Sequence, residues 1–182
     1  MPMVGISTAR VISRASGSTT PSTTSANAPA SGPDSMIQAD ENIVLLHGPQ
    51  GLHVMAGTNA PTSISQATLS KYIQFPESDR ELYTVTLTRD TGRNGVLLCM
   101  TKQGQASVHF WYDERVGGFQ NGSGGFFPFT FPTGKSPTAT IYYDGRLILG
   151  CEDGYIRVAD DDATSDDGTA IESFAAVERV DP

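Results

Sequence analysis

The chain has 182 residues, of which 38% are hydrophobic and 18% charged, with 19 glycines, 11 prolines and a net charge of −8. That length suits one domain with a modest core, and so many turn formers against so few charges point to a β protein rather than a helical one. The acids are unevenly placed: residues 152–181 hold ten of the twenty and only Arg157 and Arg179 as bases, a surface that repels phosphate backbones and excludes nucleic acid as the expected partner.

Residues 1–40 stand apart. Thirteen of the first 38 are Ser or Thr, interrupted by Pro21, Pro29 and Pro33, and the first acid is Asp34. Such a segment has too little apolar area to fold alone, so it is read as an extended or disordered arm, with Arg10 and Arg14 as its early charges. A transit peptide would need more than two arginines and an amphipathic helix. The opening Met1-Pro-Met-Val-Gly-Ile-Ser7 lacks the basic region and apolar core of a secretory signal, so cytoplasmic synthesis is expected. No apolar run approaches the ~20 residues of a membrane span, and no membrane partner is expected.

The all-β domain is placed at 41–182. Ile43 to Leu46 and Leu52 to Met55 read as strands around the turn His47-Gly-Pro-Gln-Gly51. Thr62 to Tyr72 is compatible with the start of a short helix, and Pro76 to Asp79 with a linker. Tyr83 to Leu87 alternates as Tyr-Thr-Val-Thr-Leu, and Asp90 to Gly95 forms a loop. Val96 to Met100 and Ser107 to Tyr112 then pair across Lys102-Gln-Gly104.

Ten of the fifteen aromatics lie between Phe110 and Tyr143. Trp111 and Tyr112 end a strand, and Phe126, Phe127, Phe129 and Phe131 follow a glycine-rich loop. Aromatics dominate β cores, so packing is one reading. A contact surface for a partner is the other, favoured by Pro128 and Pro132, which cannot donate ladder hydrogen bonds and so belong at a sheet edge. From Thr138 to Val158 the chain reads as a three-stranded meander, its turns marked by Asp144-Gly145 and Asp153-Gly154.

The strand pairs recur. Leu45-Leu46 with Gly51, Leu97-Leu98 with Gly104, and Ile148-Leu149 with Gly154 occupy like places, the glycines being 53 and 50 residues apart. That period suits a propeller blade of ~40–50 residues, although hairpins at such intervals also occur in a sandwich or barrel. The expected fold is therefore all-β: antiparallel meander repeats resembling an incomplete β-propeller, or a β-sandwich, with an extended N-terminal arm. Three units do not close a ring, which typically takes ~4–8.

No catalytic constellation emerges. His47, His53 and His109 are scattered without zinc spacing, and neither a nucleophile elbow nor a phosphate-cradling loop occurs. Asp160-Asp-Asp-Ala-Thr-Ser-Asp-Asp-Gly168 has five carboxylates but not the spacing of a calcium loop, and it reads as a solvated acidic loop. Cys99 and Cys151 fall within expected strands as buried free thiols. Neither an enzyme, a cofactor nor a metal is expected.

Ser107-Val-His-Phe-Trp-Tyr-Asp-Glu-Arg-Val-Gly-Gly-Phe119 resembles the repeats of propeller-like β proteins of tailed phages and bacteria. So do Tyr142-Tyr-Asp-Gly145, Leu149-Gly-Cys-Glu-Asp-Gly-Tyr-Ile-Arg157 and Asp166-Asp-Gly-Thr-Ala-Ile-Glu-Ser173, and the likeness covers about 82–177. The resemblance carries no catalytic residues across. It implies a non-enzymatic structural subunit of a tailed-phage virion, in the tail or head–tail connection, made in the host cytoplasm. Its expected partners are other virion proteins and copies of itself, as a homo-oligomer. Arg10, Arg14, Trp111, Tyr112, Phe126, Phe127, Phe129 and Phe131 are the candidate contacts. A carbohydrate-binding or adhesive module using Trp111 and Tyr112 is the alternative. On this reading the arm, 1–40, is dispensable for folding and needed for assembly.

Overall fold

The computed structural model describes residues 30–65, 69–103, 105–116, 118–119 and 125–160, together with the backbone of 165–166 and 169–170. Among these, eleven strands form three antiparallel sheets, each a meander whose strands pair in chain order. The first sheet contains β1 (Met36–Asp40), β2 (Ile43–Gly48), β3 (Gly51–Ala56) and β4 (Thr62–Ser63). The second contains β5 (Tyr83–Asp90), β6 (Gly95–Lys102), β7 (Val108–Asp113) and β8 (Gly125–Phe129). The third contains β9 (Pro137–Tyr143), β10 (Arg146–Cys151) and β11 (Ile156–Val158). A small ribbon, β12 (Ser165–Asp166) with β13 (Thr169–Ala170), follows. The chain is all-β, and its antiparallel meanders repeat as the hairpin spacing predicts.

The second sheet lies between the other two. Strand side chains alternate between faces, so Val96, Leu98 and Met100 point one way from β6, and Leu97 and Cys99 the other. The first set joins Ala39, Leu45, Leu52, Val54, Val85 and Leu87 in one buried cluster. The second set joins Leu147, Leu149 and Cys151 in another, lined by Trp111, Phe131 and Tyr142. Both cysteines are free and buried there. Polar contacts tie the second sheet to the third: the Thr88 and Thr140 hydroxyls lie 2.6 Å apart, and Thr101 donates to the Pro137 carbonyl at 2.5 Å.

Turn chemistry follows the sequence at the tightest hairpin. Asp144 and Gly145 both have positive φ, 50° and 74°, the pairing a two-residue turn demands, and Tyr143 pairs with Arg146 across it. The stretch 62–72 differs from the expected helix. Thr62–Ser63 adds a fourth strand to the first sheet, and among the described residues of the stretch the helix is the short Ser70–Ile73 (α1). A single turn is too short to carry an apolar stripe, and Ile73 is buried as part of the general core. The expected linker at 76–79 opens a 3-10 segment, Glu77–Leu82.

Residues 36–40 belong to the first sheet, not to an extended arm. Met36 to Asp40 pairs with β2, with Met36 opposite Leu46 and Ile37 opposite Leu45. Ser35 and Ala39 are fully buried, and the Leu87 amide donates to the Asp34 carbonyl at 2.9 Å. A segment average hides a five-residue strand at the end of forty residues. His47 is anchored from the same side: its Nε2 donates to the Ile73 carbonyl at 2.8 Å, its Nδ1 accepts from the Ser31 hydroxyl at 3.0 Å, and its ring stacks on Phe75. Residues 1–29, with Arg10 and Arg14, lie outside the described residues.

A chain beginning at Glu41 therefore loses β1, uncovers the edge of β2 and exposes core around Ile37 and Ala39. Losing at least about 3 kcal/mol is expected from the apolar area alone. Chemical denaturation of the truncated chain beside the full one checks this; equal midpoints would show that β1 contributes nothing to the fold.

Candidate functional site

Alternation along β7 and β8 separates the candidate aromatics. Tyr112 is buried on the side of the first sheet, its hydroxyl donating to the Gly118 carbonyl, and Phe126 packs edge-on against its ring at 4.8 Å. These two are packing residues. Trp111 faces the third sheet and is half-buried. Phe127 stands opposite Trp111, and Phe129 opposite His109, on the edge strand β8. Both are exposed. The prolines do mark this edge, since Pro128 sits in the outermost strand of the second sheet.

Phe129 and Phe131 line a groove of about 560 Å³ beside the loop that leads into β9. His109, Ser136 and Glu152 are among its polar members, with Gln105, Ser107, Thr130 and Thr133. His109 Nε2 lies 3.4 Å from the Ser136 hydroxyl, and Glu152 accepts from the Ser136 amide at 3.3 Å. Phe131 meets the imidazole edge-on at 4.9 Å. A serine, a histidine and a carboxylate are thus neighbours, but not in a relay. His109 Nδ1 is buried without a partner, so no acid orients the ring, and Glu152 faces the serine instead. Burial pushes the imidazole down to about 4, which makes it a poor base at neutral pH. What the groove offers is an aromatic wall with hydroxyls and a carboxylate, the makings of a polar small-molecule contact.

The third sheet presents a different surface. Its inward side chains, Leu147, Leu149 and Cys151, are buried against the second sheet. The opposite parity is apolar too: Ile141 and Val158 both pair with Ile148 across the three strands, and Ala139 and Ile156 both pair with Gly150. Ile141, Tyr143, Ile156 and Val158 are exposed. Sequence reasoning did not single out this face. Apolar residues on both parities of β9 and β10 were its signal, because that is how a sheet covered on both sides reads. At one end Arg157 pairs with Asp153 at 2.6 Å, and this hydrogen-bonded partner holds the Asp153 carboxyl down to about 2.

Among the described residues no three metal-ligating side chains gather into a site, and no helix is long and apolar enough to cross a membrane. The acidic run from Asp160 lies outside them beyond its first residue, apart from the backbone of 165–166. Comparison with family models, curated proteins and solved structures gives no match.

Two of the three buried histidines, His47 and His109, make a test. His47 is also pushed down to about 4 by burial. In each case the folded value lies below the unfolded one of 6.5, so between these values the unfolded state binds more protons. Stability is then full above pH 6.5 and lost as the pH falls towards 4, by up to roughly 3 kcal/mol per histidine. His109, with an unpaired ring nitrogen, should tolerate Leu with no loss at pH 7, and His109→Leu should flatten the acid slope. His47→Leu, which breaks two hydrogen bonds, should lose about 1–3 kcal/mol at pH 7. Denaturation midpoints at pH 7 and pH 5 separate the two. Equal losses at pH 7 would contradict the difference in pairing.

Proposed function

We propose that this chain is a non-enzymatic structural subunit that works through contacts with other subunits. The observation that carries the reading is the apolar outer face of the third sheet, since contiguous exposed apolar surface marks interaction sites on folded proteins. The exposed phenylalanines of β8 add a second contact region on a strand edge, where pairing groups are also free. On the resemblance of residues 82–177 to propeller-like repeats, the assembly is a tailed-phage virion and the position its tail or head–tail connection. Its partners there are other virion proteins and further copies of the chain.

A second reading is supported by the groove at His109. Carbohydrate-binding sites combine aromatic faces with hydroxyls and carboxylates, and Phe129, Phe131, Ser136 and Glu152 supply these. The buried Tyr112 moves the aromatic platform of that reading from the Trp111–Tyr112 pair to β8 and its following loop.

Quantitative mass spectrometry of purified, salt-washed particles tests the structural reading. The expected result is the chain in fixed proportion to the known structural proteins. A chain found only in the soluble lysate overturns it. Saturable, sugar-specific binding on a glycan array, lost in Phe129→Ala, would favour the second reading instead.

A further inference from the structure

The groove beside β8 is built from both the second sheet and the third. His109 comes from β7, Phe129 from β8, Phe131 and Ser136 from the connection to β9, and Glu152 from the turn after β10. Its volume of about 560 Å³ falls within the ~300–1,000 Å³ of small-molecule sites.

The wall is electrically one-sided. Among the described residues Glu152 is its one charged side chain, because burial keeps the His109 imidazole neutral near pH 7. No described lysine or arginine stands in it. Lys102 is held by Asp79 at 3.5 Å and lies over the Tyr83 ring, and Arg157 is paired with Asp153. Lys135, though flanked by Gly134 and Ser136 in sequence, is outside the wall and already engaged. Glu152 itself has no ion-pair partner among the described residues. Its Oε1 accepts from the Ser136 amide at 3.3 Å, and its own amide donates to the Ser136 carbonyl at 2.9 Å. The carboxylate is thus tied to the groove with its charge unmatched.

The aromatic side chains complement that charge. Phe129 and Phe131 lie 5.2 Å apart at 49°, and Phe131 meets His109 at 85°. Rings turned against one another make a curved wall whose π faces point in more than one direction. Such faces attract a cation, whereas an anion is repelled by Glu152. The hydroxyls of Thr133 and Ser136 and the carboxylate accept hydrogen bonds, which suits a ligand with several N–H donors. The chain's net charge of −8 draws cations towards it.

We propose that the groove lined by Phe129, Phe131, Ser136 and Glu152 is a binding site for a small primary organic ammonium, with Glu152 as counter-ion and the two phenyl rings around the charge and its neighbouring methylenes. This goes beyond both readings above, since it needs neither an assembly nor a neutral sugar. An alkylamine of the lysine side-chain type and an amino sugar both carry the group, and they share the charge and donors that the groove recognises.

The test is titration of the full chain, followed by heteronuclear correlation NMR at low salt and about pH 6.5, where both probe amines are protonated. The probes are n-butylamine and glucosamine, each against its uncharged counterpart, n-butanol or glucose. The expected result is saturable shifts at the Ser136 and Glu152 amides with the amines, and binding at least about tenfold weaker for the uncharged probes. The tighter of the two amines identifies the source. Glu152→Gln keeps an acceptor for the Ser136 amide and removes only the charge, so it should weaken amine binding about tenfold or more. Phe129→Leu, at an exposed ring, should weaken it roughly two- to fivefold. Asp144→Asn removes the same charge in the exposed β9–β10 turn and should change nothing. Absence of saturable shifts, or equal weakening by Asp144→Asn and Glu152→Gln, would overturn the proposal. Glucose bound as tightly as glucosamine would also overturn it, while leaving the carbohydrate reading in place.

Discussion

Burial of the second sheet on both faces is the constraint on which the rest of the molecule depends. β6 is buried from Gly95 to Thr101, and its alternate side chains serve two different cores. In a sheet with one wet face, a slip of one residue is resisted because it sends polar groups inward. β6 is apolar on both sides and lacks that safeguard. Its register is keyed by shape and by its ends instead. A side chain at Gly95 would run into the indole ring of Trp111, and Asp90 and Asp113 flank Gly95 on the neighbouring strands. Asp90 accepts from the Gly92 and Arg93 amides, and Asp113 binds the Arg115 guanidinium through both oxygens, so the polar ends hold the apolar middle in place.

A sheet used this way makes the fold extensible. The middle meander has a neighbour on either side, and the first strands β1, β5 and β9 follow one another through the structure as successive meanders meet. The arrangement is three antiparallel meanders packed in succession, and none of the sheets closes on itself. The two ends of the stack are not alike. The first sheet is closed over Leu46, whereas the third is left with isoleucine, valine and tyrosine facing outward. Inside the molecule, burial is what shifts the imidazoles of His47 and His109.

Much of this architecture is legible in the residues. Asp-Gly turns and alternating strands place the 83–112 hairpins and the 138–158 meander, and the hairpin spacing announces the repeat. Three things are not legible, each for a physical reason. β1 is lost in the average composition of the segment before it, although Met36-Ile-Gln-Ala-Asp40 is long enough to pair. The facing of Trp111 and Tyr112 is undetermined because neighbours in a strand point to opposite sides, and only the third dimension says which side is open. The groove joins His109, Ser136 and Glu152 from separate elements, with no spacing that motif reasoning recognises. The open sheet face was readable in principle, since apolar residues on both parities of β9 and β10 match those of β6.

Native-state hydrogen exchange resolved by residue tests the central claim most directly. If the second sheet is enclosed by the other two, the amides of Val96 to Met100 exchange only through global unfolding and are the slowest in the chain. Those of β11 and β8, at sheet edges, exchange by local opening and are much faster. Fast exchange throughout β6, or slower exchange in the third sheet than in the second, would contradict a fold organised around a middle sheet buried on both faces.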